Sequence, residues 1–389
     1  MAFSFDQVVP RRGTGSVKWD LYPADVLPMW VADMDFASPE PVLQALQTRV
    51  AHGFFGYPAH AHQLAEVICE RMARLYNWLV TPEQISFLPS LVSGINLVCR
   101  AVGAPGDSVL TLTPAYPPFL SAPGLQQRQC DMVALTPVVQ GQTLSYTLDW
   151  DALEAAFHER TRLFLLSSPQ NPVGAVYDPA TLHRMAELCL RHQTVICADE
   201  IHCDLLLGSS RHTPLAALAP EIAAQTITLM APSKSFNLPG LGCGFAIVGN
   251  PDLRKALERA QAGIVPHVNT LGLVAAQAAF TSGEPWLTAL RAYLTANRDF
   301  LVRYVAEHMP QLRTTVPDAT YLAWLDCREA GMPGSPYKFW LEQAKVALSD
   351  GAVFGTGGAG FVRLNFGCPR SLLETGLARM QDALTQADG

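Results

Sequence analysis

The sequence predicts an α/β protein with a large domain, built on a mostly parallel seven-stranded sheet, and a smaller α+β domain. Apolar segments of strand length alternate with helical segments between residues 85 and 248. The strand segments are apolar throughout instead of alternating, which is typical of a parallel sheet covered by helices on both faces. After residue 282 a long helical stretch is followed by isolated strands, which indicates a second domain.

Seven strand-like segments define the predicted sheet. They cover residues 85–88, 108–112, 132–135, 163–167, 195–198, 227–230 and 245–248. Apolar residues at helical spacing predict helices over residues 61–76, 92–102 and 179–192. Residues 10–36 are rich in Pro, Gly and aromatic residues, which predicts an irregular arm.

The C-terminal part of the chain predicts a different arrangement. A helix that ends near residue 308 is followed by a strand over 321–326, a helix over 336–347, a strand over 361–366 and a final helix. We therefore expect three regions. Residues 1–45 would form an N-terminal arm and part of the small domain, residues 46–285 the large ligand-binding domain, and residues 286–389 the small C-terminal α+β domain.

Composition argues against several classes of function. The 389 residues are 49% apolar and carry a net charge of −7 without a basic run, so we expect no nucleic-acid partner. The absence of an apolar run of about 18 residues predicts no membrane span. Nine scattered cysteines without a Cys-x-x-Cys pair, in a chain with no recognisable signal peptide, favour reduced thiols and a cytoplasmic location.

Three histidines lie close together in the sequence, at His52, His60 and His62. Histidine is a common metal ligand, but a structural or catalytic metal needs three or four protein ligands in a recognisable pattern. These histidines lack such a set of acidic or cysteine partners. We therefore expect no metal site.

Lys234 follows the apolar segment that ends at Met230. A lysine at the end of a buried strand is partly desolvated, which lowers the pKa of its amine and lets it act as a nucleophile or a base. The alternative for this residue taken alone is a surface lysine in a turn rich in Ser and Asn.

Two other strand ends carry polar residues. Asn171 follows the segment that ends at residue 167, and Asp199 follows the segment 195–198. Alone, Asn171 could be a plain turn residue, and Asp199 could pair with an arginine. Ligands of open α/β sheets bind beyond the carboxyl ends of the strands, however, so an amide, a carboxylate and an amine are expected at one edge.

Pyridoxal phosphate (PLP) uses all three groups. The lysine bonds to the aldehyde, the carboxylate pairs with the ring nitrogen, and the amide donates to the ring phenolate. Ser90, Leu91 and Val92 begin a predicted helix, whose N–H groups would bind the phosphate. Tyr116 follows another strand and would stack on the ring, although a core aromatic is the alternative.

Motifs along nearly the whole chain carry a family resemblance. They are SVKWD (16–20), MWVADMDF (29–36), GY (56–57), TPAYPPF (113–119), NPVG (171–174), DEIH (199–202), PSKSFN (232–237), TYLAWLD (320–326), VRLNF (362–366) and CPRS (368–371). With them the chain resembles the fold-type I PLP enzymes of the class I/II aminotransferase superfamily. More narrowly, it is similar to the MalY/PatB group of cystathionine β-lyases, also called cysteine-S-conjugate β-lyases.

The resemblance implies further roles. Tyr57 would reach the phosphate of a neighbouring subunit, which implies a homodimer with shared active sites. Arg363 would bind the substrate α-carboxylate, and His202 would lie near the phenolate oxygen. Ala32, Asn171 and Tyr116 would also contact the substrate.

Two positions depart from the pattern of many relatives. Ala231 stands where a Ser or Thr contacts the phosphate, and Gly242 stands where a Lys or Arg does. We therefore expect the phosphate to be held less tightly, or by Ser233 and Tyr57.

The resemblance implies α,β-elimination from an S-substituted cysteine, with Lys234 as the general base and with a thiol, pyruvate and ammonia as products. An aminotransferase on the same scaffold remains an alternative, because both reactions use the same residues. A regulatory protein that retains only the fold is a third possibility, but four polar groups expected in a buried site argue against it.

Overall fold

The computed structural model describes residues 3–59 and 61–387 of the chain. The described helices are α1 (Val17–Asp20), α2 (Glu40–His52), α3 (Ala61–Tyr76), α4 (Leu91–Ala101), α5 (Pro117–Leu125), α6 (Trp150–Ala155), α7 (Pro179–Arg191), α8 (Pro220–Ala223), α9 (Pro232–Ser235), α10 (Pro251–Gln261), α11 (Thr270–Ser282), α12 (Glu284–His308), α13 (Pro336–Glu342) and α14 (Arg370–Ala387). The strands are β1 (Leu27–Pro28), β2 (Ile85–Leu88), β3 (Ser108–Thr113), β4 (Gln129–Ala134), β5 (Thr136–Gln140), β6 (Thr143–Thr147), β7 (Thr161–Ser167), β8 (Val195–Asp199), β9 (Thr226–Met230), β10 (Gly244–Val248), β11 (Arg313–Thr315), β12 (Leu322–Asp326), β13 (Val346–Ala347), β14 (Ser349–Asp350) and β15 (Phe361–Asn365).

The large sheet has seven strands in the order β2-β10-β9-β8-β7-β3-β4. Strand β10 is antiparallel to both of its neighbours, and the other pairs are parallel. This confirms the predicted seven-stranded, mostly parallel sheet. Each predicted segment lies on one of these strands, with ends that differ by up to three residues.

Both faces of the large sheet are covered, which explains why its strands are apolar throughout. In β7, Leu163 and Leu165 pack with the residues of α4 and α5, whereas Phe164 and Leu166 pack with those of α6 and α7. Successive side chains of a strand point to opposite faces, so a strand between two helical layers needs apolar residues at every position.

A second sheet has the order β14-β15-β12-β11-β6-β5. Its hairpin β5–β6 comes from the middle of the chain and pairs in parallel with β11 through Thr143 and Thr314. We did not predict this hairpin, because most of its side chains are exposed and polar. The division of the chain into regions 1–45, 46–285 and 286–389 stays a prediction.

The predicted helix over 336–347 is wrong in its second half. Helix α13 ends at Glu342, and Val346 and Ala347 form strand β13, which pairs in parallel with Leu27 and Pro28 of the N-terminal arm. The pairing partner lies more than 300 residues away in the sequence, so local periodicity could not indicate it.

No helix in the described part of the chain is both long and apolar enough to cross a membrane.

A buried ion-pair network joins the large sheet to its helices. Arg71 on α3 pairs with Asp204 at 2.8 Å and with Glu284 at 3.1 Å, and its guanidinium lies over the ring of Phe280. Asp204 also accepts a hydrogen bond of 2.9 Å from the Ser235 hydroxyl, beside Lys234. The network therefore supports the turn that carries the lysine.

We predict that Arg71→Ala lowers the free energy of unfolding by about 3 kcal/mol, because it leaves the buried Asp204 carboxylate without its cation. Urea denaturation followed by circular dichroism measures the change. The control is Arg74→Ala, which removes an exposed arginine from the same helix. Equal midpoints for the two variants would contradict a stabilising role for this network.

Candidate active site

The carboxyl ends of β7, β8 and β9 open into a cavity of about 230 Å³. These strands are neighbours in the sheet, so the residues that follow them come together. Asn171 follows β7, Asp199 ends β8, and Lys234 follows β9. Lys234 lies in the one-turn helix α9.

Most of the predicted site residues line this cavity. They are Ala32, Ser90, Leu91, Val92, Tyr116, Asn171, Asp199, His202, Ser233, Lys234 and Arg363. Tyr57 does not, since its side chain is fully exposed and lies beside a separate depression with His267. Its predicted contact with the phosphate of a partner subunit stays a prediction, as do the individual roles of the other residues.

Lys234 is half-buried, and its amine donates a hydrogen bond of 2.5 Å to the Ala32 carbonyl. Burial and, to a smaller extent, the Arg363 guanidinium lower the pKa of this amine to about 8 against the opposing charges of Asp33 and Asp199. An amine with such a pKa has a substantial unprotonated fraction near neutral pH. It can therefore act as a nucleophile or as a proton acceptor.

The pKa of Asp199 is shifted in the opposite direction from that of Lys234. Burial, with a smaller contribution from the neighbouring Glu200, raises the pKa of its carboxyl group to about 7 against the opposing effects of the Ile201 N–H and Lys234. The carboxylate accepts a hydrogen bond of 3.1 Å from the Ile201 N–H. A buried carboxylate in this state would be stabilised by a cationic group placed in the cavity.

His202 lies in the same wall and is buried. Burial and the nearby cations Lys234 and Arg363 together lower the pKa of its imidazole to about 3. The ring is therefore neutral at physiological pH. Its Nδ1 has no hydrogen-bond partner among the described residues, and a buried polar atom without a partner indicates a polar ligand.

Arg363 comes from β15 of the second sheet and enters the cavity from the opposite side. It donates a hydrogen bond of 3.0 Å to the Asn171 Oδ1 and weaker ones of 3.3 Å to the Trp30 carbonyl and the Ser349 hydroxyl. Its Nε has no partner in the described part of the chain. The guanidinium is thus held in place, and its Nε remains available to donate a hydrogen bond to a carboxylate of a ligand.

The N-terminus of α4 forms another wall. The Ser90 hydroxyl caps this helix by accepting a hydrogen bond of 3.1 Å from the Ser93 N–H. The N–H groups of Leu91 and Val92 precede the first intrahelical bond, so they are available to an anion in the cavity.

The departure at Gly242 has a structural reason. Its backbone is left-handed with φ of +55°, and a Cβ atom there would lie 3.0 Å from the Pro89 carbonyl oxygen. A lysine or arginine at this position would strain the loop. The chain therefore has no side-chain cation at this position of the cavity wall.

Two residues near Lys234 were missed by the sequence interpretation. Asp33 follows Ala32 and raises the pKa of the lysine, and Tyr321 donates a hydrogen bond of 2.9 Å to the Ala32 carbonyl. Both lie in motifs that carry the family resemblance. An acidic residue within an apolar and aromatic arm was the available signal for Asp33.

The described residues contain no group of three or more potential metal ligands. His62 contacts Glu66 at 3.4 Å on the surface, and His60 lies outside the described residues.

The model of the family "Aminotransferase class I and II" matches residues 24–380. The chain is 36% identical to the cystathionine β-lyase PatB of Bacillus subtilis, over 98% of this chain and 100% of that protein.

Solved structures agree with this relationship. The crystal structure of a protein named OvoB has a TM-score of 0.93 and 43% identity, covering 98% of this chain and 99% of the other. Cystalysin from Treponema denticola, whose structure contains a pyridoxal 5'-phosphate cofactor, has a TM-score of 0.94 and 28% identity over the full length of both chains.

The matches span essentially the whole chain and confirm both the predicted fold type and the predicted relationship. The protein belongs to the class I and II aminotransferase family and, within it, to the MalY/PatB group that contains cystathionine β-lyases.

Proposed function

We propose that this protein is a PLP-dependent carbon–sulfur β-lyase, which cleaves L-cystathionine or a related S-substituted cysteine to a thiol, pyruvate and ammonia. The observation that carries the proposal is the Lys234 amine, half-buried and with a lowered pKa, in one cavity with Asp199 and Arg363. The relationship to PatB, which is named a cystathionine β-lyase, favours this reaction. The cofactor of cystalysin supports the choice of PLP.

The donor set of the cavity fits this cofactor. Lys234 would bond to its aldehyde, and Asp199, which lacks a strong cationic partner, would pair with its ring nitrogen. The unpartnered Nδ1 of His202 and the amide of Asn171 suit the phenolate oxygen. Tyr116 would pack on the ring. The residues Ser90, Leu91, Val92 and Ser233, together with Tyr57 of a second subunit, would hold the phosphate.

When bound, PLP withdraws electrons from the substrate Cα, which makes the Cα proton acidic. The Lys234 Nζ removes that proton as the general base, and the C–S bond on the β carbon breaks with departure of the thiolate. Asp199 would hold a proton on the ring nitrogen, because a cation that faces this buried carboxylate stabilises it.

Arg363 orients the substrate by binding its α-carboxylate. Asn171 and the Trp30 carbonyl fix the plane of the guanidinium, so the carboxylate meets a preformed site. The arm segment that contains Ala32 lies over the lysine and helps to exclude water from the site of proton transfer.

An aminotransferase reaction is the second candidate, because the matching family model carries that name and the same residues would serve it. Incubation of the cofactor-loaded protein with L-cystathionine alone distinguishes the two reactions. A lyase releases pyruvate and thiol over many turnovers without a keto acid. An aminotransferase stops after one turnover until a keto acid is added.

The proposal includes a homodimer. Tyr57 is fully exposed, and the adjacent Phe54 and Phe55 are 73% and 58% exposed, which is unusual for aromatic residues unless a partner covers them. All nine cysteines are free thiols, which supports a cytoplasmic location.

We predict that Lys234→Ala lowers the rate of pyruvate release at least about 100-fold, because the general base is lost. The variant should also lose the borohydride-fixed cofactor label, which peptide mass spectrometry locates. The control is Lys255→Ala, which removes an exposed lysine on α10 and should retain both properties. Pyruvate release at the normal rate by the Lys234 variant would eliminate lysine from the mechanism.

We predict that Arg363→Lys lowers kcat/KM for L-cystathionine about 10- to 100-fold. The ammonium keeps the charge but loses the planar pair of donors, and hydrogen bonds to charged groups contribute about 1.5–3 kcal/mol. Steady-state kinetics measure the change, with Arg211→Lys as an exposed control. An unchanged kcat/KM would place the carboxylate elsewhere.

A further inference from the structure

The arm segment next to Lys234 is held in one position by several hydrogen bonds. The Ala32 carbonyl accepts hydrogen bonds from both Lys234 and Tyr321. The next carbonyl, that of Asp33, accepts hydrogen bonds of 2.9 Å from the Lys18 amine and 2.7 Å from the Asn365 amide. The backbone of Asp33 therefore cannot move away from the lysine without breaking these contacts.

Only one of the two carboxylate oxygens of Asp33 has a partner among the described residues. Its Oδ2 forms an ion pair of 2.6 Å with Arg11. Its Oδ1 is buried and has no hydrogen-bond partner in the described part of the chain. A buried carboxylate oxygen without a partner is costly, so it indicates a group that it meets during function.

Several charged and titratable side chains lie near Lys234 and affect its protonation. Arg363 opposes its protonation, whereas Asp199 and Asp33 favour it. His202 is neutral because its own pKa is low, and Tyr321 contributes a neutral hydroxyl. Asp199 is assigned to the cofactor ring in the proposed reaction. Asp33 is then the carboxylate that remains for the lysine.

We propose that Asp33 is the positioning counter-charge of Lys234. Its carboxylate belongs to the residue after the Ala32 carbonyl that holds the amine, and it favours the protonated nitrogen of Lys234 from beyond direct ion-pair distance, while Arg11 limits this effect by pairing with the carboxylate Oδ2. The catalytic consequence rests on the proposed role of Lys234 as the base. When the proton moves from the substrate Cα to the lysine Nζ, a cation forms next to Asp33, and its attraction lowers the barrier.

Two substitutions remove the Arg11–Asp33 ion pair but have opposite electrostatic effects; Arg11→Gln also removes the 2.6 Å pair between Arg11 and Asp35. Asp33→Asn removes the anion and should lower the pKa of Lys234 by about one pH unit, since a nearby opposite charge has effects of this size. Arg11→Gln removes the cation that offsets Asp33 and should raise the pKa of Lys234. A purely structural role of the ion pair would move the pKa of Lys234 in the same direction in both variants.

The experiment measures the pKa of Lys234 directly in the full-length chain without cofactor. Trace acylation with acetic anhydride across a pH series, quantified at Lys234 by peptide mass spectrometry, gives the titration of the amine. The pH dependence of the visible absorbance of the cofactor-loaded protein provides a second reading. Because the first measurement needs neither cofactor nor substrate, its result is independent of whether the protein is a lyase.

A lower pKa in Asp33→Asn together with a higher pKa in Arg11→Gln supports the inference. An unchanged pKa in Asp33→Asn, or changes of the same sign in both variants, overturns it. If Asp33→Asn does not fold, Arg11→Gln decides alone: a higher pKa supports the counter-charge, and an unchanged or lower pKa rejects it. In the supported case kcat of Asp33→Asn falls while KM changes little, because the charge acts on proton transfer and not on substrate binding.

Discussion

The structure depends on the burial of two cations, Lys234 and Arg363, in one cavity with Asp199. Removing charges from water is unfavourable, and each group responds by a change in its protonation equilibrium. Burial lowers the pKa of the lysine to about 8 and that of the arginine to about 10, and it raises that of the aspartate to about 7. The site is therefore strained electrostatically until a ligand with complementary charges enters. PLP with an amino-acid substrate supplies those charges.

The rest of the fold keeps these groups together. The large sheet places Asn171, Asp199 and Lys234 at adjacent strand ends. Strand β15 of the second sheet delivers Arg363, and its hydrogen bond to Asn171 joins the two sheets across the cavity. The ion-pair network around Asp204 supports the turn that carries the lysine through the Ser235 hydroxyl. The N-terminal arm contacts the lysine amine through the Ala32 carbonyl.

The N-terminal arm also contributes polar groups to the site. Its segment at Ala32 and Asp33 brings a carbonyl oxygen and a carboxylate to the amine that performs the proposed proton transfer. The proposed phosphate region differs, because Gly242 has a left-handed backbone at which a lysine or arginine would be strained. Helix N–H groups and hydroxyl groups would replace that cation. In the proposed reaction the chain would thus use charge near the reacting amine and neutral donors near the phosphate.

The sequence by itself determined the mostly parallel sheet, because strands buried on both faces are apolar at every position. It also determined the residues at the strand ends, since Asn171, Asp199 and Lys234 interrupt apolar segments in the pattern that PLP chemistry requires. Only the tertiary structure decided the antiparallel direction of β10, the hairpin β5–β6 and the pairing of β1 with β13. It also decided the position of Asp33 beside Lys234, 201 residues apart in the chain. These features depend on contacts between distant segments, and no local pattern of residues encodes such contacts.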